Sequence, residues 1–117
     1  MKSERSEDLF QAAKRVRQIL AQVSEPFEIV INTSLFEEPS EKQLWHVLQE
    51  VEQQSATFIR LKNYSHAFHQ LLHLLQPLNV FFEQVFVMSD NLSVRKNRLS
   101  LLKKLQLLFY SIVAIGS

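Results

Sequence analysis

The chain has 117 residues, 46% of them apolar, and a formal charge of +1 at neutral pH. That is long enough for one hydrophobic core and too apolar for a disordered segment. It has no cysteine, and its one glycine is Gly116, so disulfides, thiolate metal sites and glycine-built phosphate loops are excluded. No apolar run approaches the roughly eighteen residues of a membrane span. Residues 1–8 lack the hydrophobic centre of a signal peptide. A cytoplasmic protein fits these features. Glycine scarcity also disfavours hairpin-rich architectures, so an all-α chain is expected. Charge is unevenly spread. Residues 1–52 carry six Lys or Arg against ten Asp or Glu, a balance of −4, whereas residues 53–117 carry seven against two, +5. Such asymmetry marks either a nucleic-acid face or two ordinary solvated faces.

In chain order, the first expected helix covers about residues 6–22. Leu9, Ala12, Ala13, Val16, Ile19, Leu20 and Val23 share one face, with Lys14 opposite and Arg15 and Arg17 on the flanks. The two arginines either contact phosphates or bracket the buried stripe with their stems. Pro26 stops this helix. Residues 27–31, Phe-Glu-Ile-Val-Ile, have strand-like composition but no second strand to pair with. They are expected to form an extended loop packing its apolar residues on the bundle. Glu37, Glu38 and Glu41 then precede or open a helix, where acids suit the helix dipole better than a metal. Ser40 and Gln43 have the spacing of a capping box. Leu44, Val47, Leu48 and Val51 form the buried stripe, with Trp45 at its edge. A short helix or turn follows at about residues 56–61.

A further helix is expected over about residues 64–75, with Ala67, Phe68, Leu71, Leu72, Leu74 and Leu75 on one arc. His66, His69 and His73 lie on the other side at a spacing able to hold zinc. No cysteine or acid accompanies them, and a solvated face is preferred. Pro77 then suits the first turn of another helix, whose Leu78, Phe81, Phe82, Val85 and Phe86 recur at helical spacing. Ser89-Asp90-Asn91 makes a corner and caps the last helix, which runs from about Leu92 toward the C-terminus. There Val94, Leu101, Leu105, Leu108, Phe109 and Ile112 centre on one face and Lys96, Lys103 and Lys104 project away. Arg98 falls inside the apolar arc. A buried arginine must be paired, and Asp90, Glu83 or carbonyls of the corner are the expected partners. Arg98 and Asp90 are therefore candidates for a structural clamp.

The stretch FFEQVFVMSDNLSVRKNRLSLLKKLQLLF, residues 81–109, resembles the C-terminal anticodon-binding domain of bacterial glycyl-tRNA synthetase beta subunits, an all-helical domain of the DALR type. The agreement rests on Phe81, Phe82, Val85, Val87, Met88, Asp90, Arg95, Asn97, Arg98, Leu99, Leu101 and Leu102. Ser93-Val94-Arg95 stands where Ala-Leu-Arg is usual, and Asn91 replaces a second acid. AAKRVRQIL and INTSLFEEPSEKQLW add weaker agreement upstream. The likeness extends over about residues 10–115.

The resemblance implies a bundle of about five to six helices, with residues 1–117 forming a single anticodon-binding domain excised from the C-terminal part of a longer synthetase chain. It implies binding of glycine tRNA near the anticodon, in the service of an ATP-dependent glycine–tRNA ligase. ATP and magnesium would act elsewhere in that enzyme, whose alpha subunit or fused alpha segment carries the aminoacylation site. No catalytic residue, metal ligand or membrane contact is assigned here. Candidates for RNA contact are Lys14, Arg15, Arg17, Lys62, Arg95, Lys96, Asn97 and Lys103. The main alternative is a helical protein–protein docking module without RNA binding. A metal-binding protein using the histidine face ranks below both.

Overall fold

Five α-helices carry the chain in the computed structural model, which describes residues 4–23 and 28–116, with side chains over 7–23 and 28–113. They are α1 (Glu4–Leu20), α2 (Pro39–Arg60), α3 (Tyr64–Gln70), α4 (Leu75–Gln84) and α5 (Leu92–Gly116), with 3-10 turns at Thr33–Leu35 and Leu71–Leu74. No strand occurs among the described residues. The expected all-α bundle is what forms. The second 3-10 turn joins α3 to α4 without a break, so the five helices make four rods.

α1 buries Leu9 and Val16, with Ala12, Ala13, Ile19 and Leu20 packed beside them. Pro26 and Phe27 lie outside the described residues. Residues 28–32 are non-helical and Asn32 is extended, at φ −109 and ψ 107. Of the apolar residues here only Ile31 packs against the core; Ile29 and Val30 are exposed.

α2 differs from expectation at both ends. Its first residue is Pro39, whose missing N–H has no helical partner to lose, and this moves the N-cap from Ser40 to Glu38. The closing acid is Glu41, whose Oε1 accepts the N–H groups of Glu38 and Glu37, each at 3.2 Å. The helix also runs unbroken through residues 56–60. Ser55 occupies the core position one turn after Val51. It tolerates burial because its hydroxyl donates to the Val51 carbonyl at 2.6 Å. A polar residue at a core position made the apolar stripe look finished.

Pro77 lies in the first turn of α4, as expected, as its third residue. A proline inside an α-helix leaves the carbonyl four residues earlier unpaired. Here the preceding turn, Leu71–Leu74, is wound as 3-10, and Leu75 N–H donates to Leu72 O. At the other end α4 stops at Gln84, and Val85 is extended at φ −114 and ψ 127. Beyond that point the side-chain period is two rather than 3.6. Val85 and Val87 point inward and Phe86 points to solvent.

α5 is the axis of the fold. Asn97 to Leu102 are all buried, and six consecutive residues cover every direction around a helix. This part of α5 is therefore enclosed, not amphipathic. The side holding Asn97 and Ser100 is covered by the extended segment: Val30 N–H donates to Ser100 Oγ at 3.3 Å, and Asn32 N–H to Asn97 Oδ1 at 2.7 Å.

Two sets of contacts fix helix directions. Phe10 of α1 meets Phe109 of α5 edge-on at 5.7 Å, while Val16 adjoins Leu105 and Gln106, so these helices run antiparallel. Leu9 and Ala12 adjoin Leu75 and Leu78, and Arg15 lies over Phe82, so α1 and α4 run the same way. The ends of α1 and α4 and the start of α5 thus gather at one end of the bundle.

Candidate nucleic-acid interface

The gathering point is built around Arg98, 5% exposed. Its Nη1 donates to the Phe86 carbonyl at 2.7 Å. Its Nη2 donates to Glu41 Oε1 at 2.9 Å and to Glu37 Oε1 at 3.1 Å, and its Nε to Glu41 Oε1 at 3.3 Å. Glu41 is fully buried. The guanidinium joins three segments: the start of α2, the α4–α5 corner and α5 itself. Of the partners named from sequence, only the corner carbonyl takes part. Asp90 and Glu83 are both exposed, and the acids on Arg98 come from α2 and the residues just before it. Glu37 and Glu41 are thus the residues that sequence reading passed over. The dense run of acids at 37–41 was the available signal, since a buried arginine has to find an acid somewhere.

Asn97 leaves the set of RNA candidates. It is 2% exposed, its Oδ1 takes the Asn32 N–H, and its Nδ2 donates to Asn32 O at 3.1 Å. Both ends of the amide hold the loop, and none of it is offered to a ligand.

The remaining candidates divide by position. Arg15 lies over the Phe82 ring, with Cζ 4.2 Å from the centroid, on the α4 side of α1. Arg17 sits on the other flank of the buried stripe and Lys14 on the outer face; all three are exposed. Lys96 is exposed and Arg95 half-buried in the first turns of α5. Because Val16 adjoins Leu105 and Gln106 on the antiparallel α5, Lys14, Arg15 and Arg17 lie level with the middle of that helix, and Arg95 and Lys96 stand about 13–18 Å further along it at 1.5 Å per residue. Lys103 lies two turns further along α5, half-buried, donating to Gln106 Oε1 at 3.3 Å. Lys104 is occupied by Glu52 at 3.4 Å.

Lys62 is elsewhere. It stands at the α2–α3 corner with φ 59, on the side where Phe68 of α3 meets Phe10 at 6.2 Å and, through it, Phe109. Fourteen residues of α5 separate Arg95 from Phe109, which is about 21 Å at 1.5 Å per residue. The structure does not bring Lys62 together with Arg95 and Lys96.

Other surfaces suit RNA less well. A groove of about 450 Å³ runs between α2 and the α3–α4 rod, lined by Gln43, Glu50, Gln54, His73 and Gln76 among others, with no Lys or Arg. His66 is engaged with Asn63 Oδ1 at 2.9 Å and stacks on Phe58. No group of three metal-ligating side chains occurs among the described residues, and no described helix is long and apolar enough to cross a membrane.

The sequence has relatives. The chain is 39% identical to the glycine–tRNA ligase beta subunit of Hamiltonella defensa over 88% of its length and 15% of that protein. It is 38% identical to the beta subunit of Dichelobacter nodosus over 83% of this chain and 14% of the relative. The beta subunit of Hahella chejuensis matches at 35% over 99% of this chain and 17% of its own length. The chain thus spans about one-sixth of the length of these relatives. The family of DALR anticodon binding domains matches residues 9–115, from the first buried leucine of α1 to the end of α5; the chain belongs to that family.

Proposed function

We propose that this domain binds the anticodon arm of glycine tRNA, as part of a glycine–tRNA ligase. The observation that carries the reading is the match of residues 9–115 to an anticodon binding domain, supported by the glycine–tRNA ligase beta subunits that align with nearly the whole chain. Lys14, Arg15 and Arg17 of α1, all exposed, and Arg95 and Lys96 in the first turns of α5 supply the cations that neutralise phosphates. On this reading aminoacylation, with ATP and magnesium, takes place outside these residues and with an alpha subunit. The chain offers no glycine-built phosphate loop, and no step of that chemistry is assigned to it.

The test is binding of the 117-residue chain to glycine tRNA and to a tRNA with another anticodon, at two salt concentrations. The expected result is tighter binding to glycine tRNA and affinity that falls as salt rises. Arg17→Gln combined with Lys96→Gln should weaken binding and flatten the salt dependence. The slope of log affinity against log salt should fall by about 0.7–0.9 for each phosphate no longer neutralised. Melting should barely change, since both side chains are exposed and such substitutions stay within about 0.5 kcal/mol. Absence of salt-sensitive binding to either tRNA would end the reading.

A further inference from the structure

We infer that Phe86 is a stacking platform for an unpaired base of the bound RNA. The inference rests on the reading of this end of the bundle as the RNA face. Phe86 is 71% exposed, against 48% for Phe10, the next most exposed described phenylalanine, which rests on Phe68 and Phe109. No ring contact of Phe86 occurs among the described residues.

Its exposure is built into the fold rather than left by a loose loop. Val85 and Val87 are buried on either side, so the extended backbone turns the ring outward. The Phe86 carbonyl is held at 2.7 Å by Arg98, which is itself anchored on the buried Glu41. With its backbone held, Phe86 has only side-chain rotamer freedom to lose when a base settles on the ring, so the cost of ordering is small.

The surroundings select a base over other occupants. Arg15 lies over Phe82, one helical turn before Phe86 in sequence, and Arg95 and Lys96 follow at the start of α5. These are the cations that a backbone running past the ring requires. Glu83 and Asp90, also exposed at this corner, repel phosphate but accept hydrogen bonds from the amino and imino groups of an unpaired base. The corner is therefore suited to a base, with the phosphates toward the arginines. An apolar protein partner would instead have to cover these charged side chains unpaired.

The experiment compares the unaltered chain with Phe86→Ala and Phe86→Trp. The probe is an anticodon stem-loop RNA of glycine tRNA sequence, carrying a fluorescent purine analogue at one loop position at a time. Base–aromatic stacking contributes about 1–3 kcal/mol. Phe86→Ala should therefore weaken binding by about 5- to 150-fold, leave the salt slope unchanged and abolish the fluorescence change at one loop position. Phe86→Trp should bind like the unaltered chain. All three proteins should melt at the same temperature. If the unaltered chain binds the RNA and Phe86→Ala binds equally well, this inference fails while the RNA-binding reading stands. If the unaltered chain does not bind at all, both fail. A Phe86→Ala variant that alters self-association but not RNA affinity, or that melts several degrees lower, also overturns the inference.

Discussion

The two sharp corners of the bundle are held by opposite means. The α2–α3 corner is local. Lys62 N–H donates to Ile59 O at 2.9 Å and Asn63 N–H to Phe58 O at 2.8 Å, the paired bonds of a Schellman ending. Asn63 then caps α3 by accepting the His66 N–H. Every group involved lies within nine residues. The α4–α5 corner has local caps as well, with Asn91 Oδ1 taking the N–H groups of Ser93 and Val94. Its backbone is nevertheless fixed by Arg98 and, through it, by acids 57 and 61 residues away. A corner closed by its own backbone survives most substitutions. A corner closed by a buried ion pair depends on one side chain. The candidate RNA site has been built on the second kind, where the ring of Phe86 is placed by the same guanidinium that ties α2 to α5.

The largest way to break this contrast is Arg98→Ala. It leaves Glu41 buried and without its cation and frees the Phe86 carbonyl. Removing one partner of a buried pair costs about 3–5 kcal/mol, and thermal or denaturant unfolding should show a loss of that size. RNA affinity should fall with it even in conditions where the variant remains folded, because Phe86 loses its support. A variant within about 1 kcal/mol of the unaltered chain would mean that the ion pair does not close the corner.

Asn97→Ala comes next. It removes both hydrogen bonds that tie Asn32 to α5. Each such bond contributes about 0.5–1.5 kcal/mol, so the variant should be measurably less stable, with faster amide exchange at Asn32. RNA affinity should follow the folded fraction and nothing more. A specific loss of affinity with stability intact would return Asn97 to the RNA-facing surface.

The same contrast explains what was legible in the sequence. Stripes with a 3.6-residue period give α1, the first half of α2 and α3, because each buries one face. The inward position of Arg98 was also legible, since helical phase alone puts it among the leucines. Its partners were not. Glu41 and Glu37 meet Arg98 only because the start of α2 packs on α5, and nothing local to either segment encodes that. The period also misleads where an element ends early. Phe86 keeps helical spacing with Phe82, yet α4 stops at Gln84 and the ring turns outward. Ser55 hid the continuity of α2 for a related reason: a hydroxyl that bonds its own helix occupies a core position without looking apolar. On the RNA side, charge alone could not set Lys62 apart from Arg95 and Lys96.

The smallest expected effect concerns Lys62 and sharpens the comparison from the local side. Its φ of 59 places it in the left-handed region, where a Cβ costs about 1–2 kcal/mol and glycine costs nothing sterically. Glycine gives back part of that through the greater freedom of its unfolded chain, about 0.5–1 kcal/mol. Lys62→Gly should therefore stabilise the domain by about 0.5–1 kcal/mol, raising Tm by a few degrees for a chain of this size. Lys62→Ala keeps the Cβ and should give no such gain. The pair separates backbone from side chain, and both variants remove the charge. If RNA binds at the α4–α5 end, both should keep the affinity and the salt slope of the unaltered chain. A drop of about 0.7–0.9 in that slope for both would mean that the RNA follows the bundle along its whole length, and that the two corners share one interface.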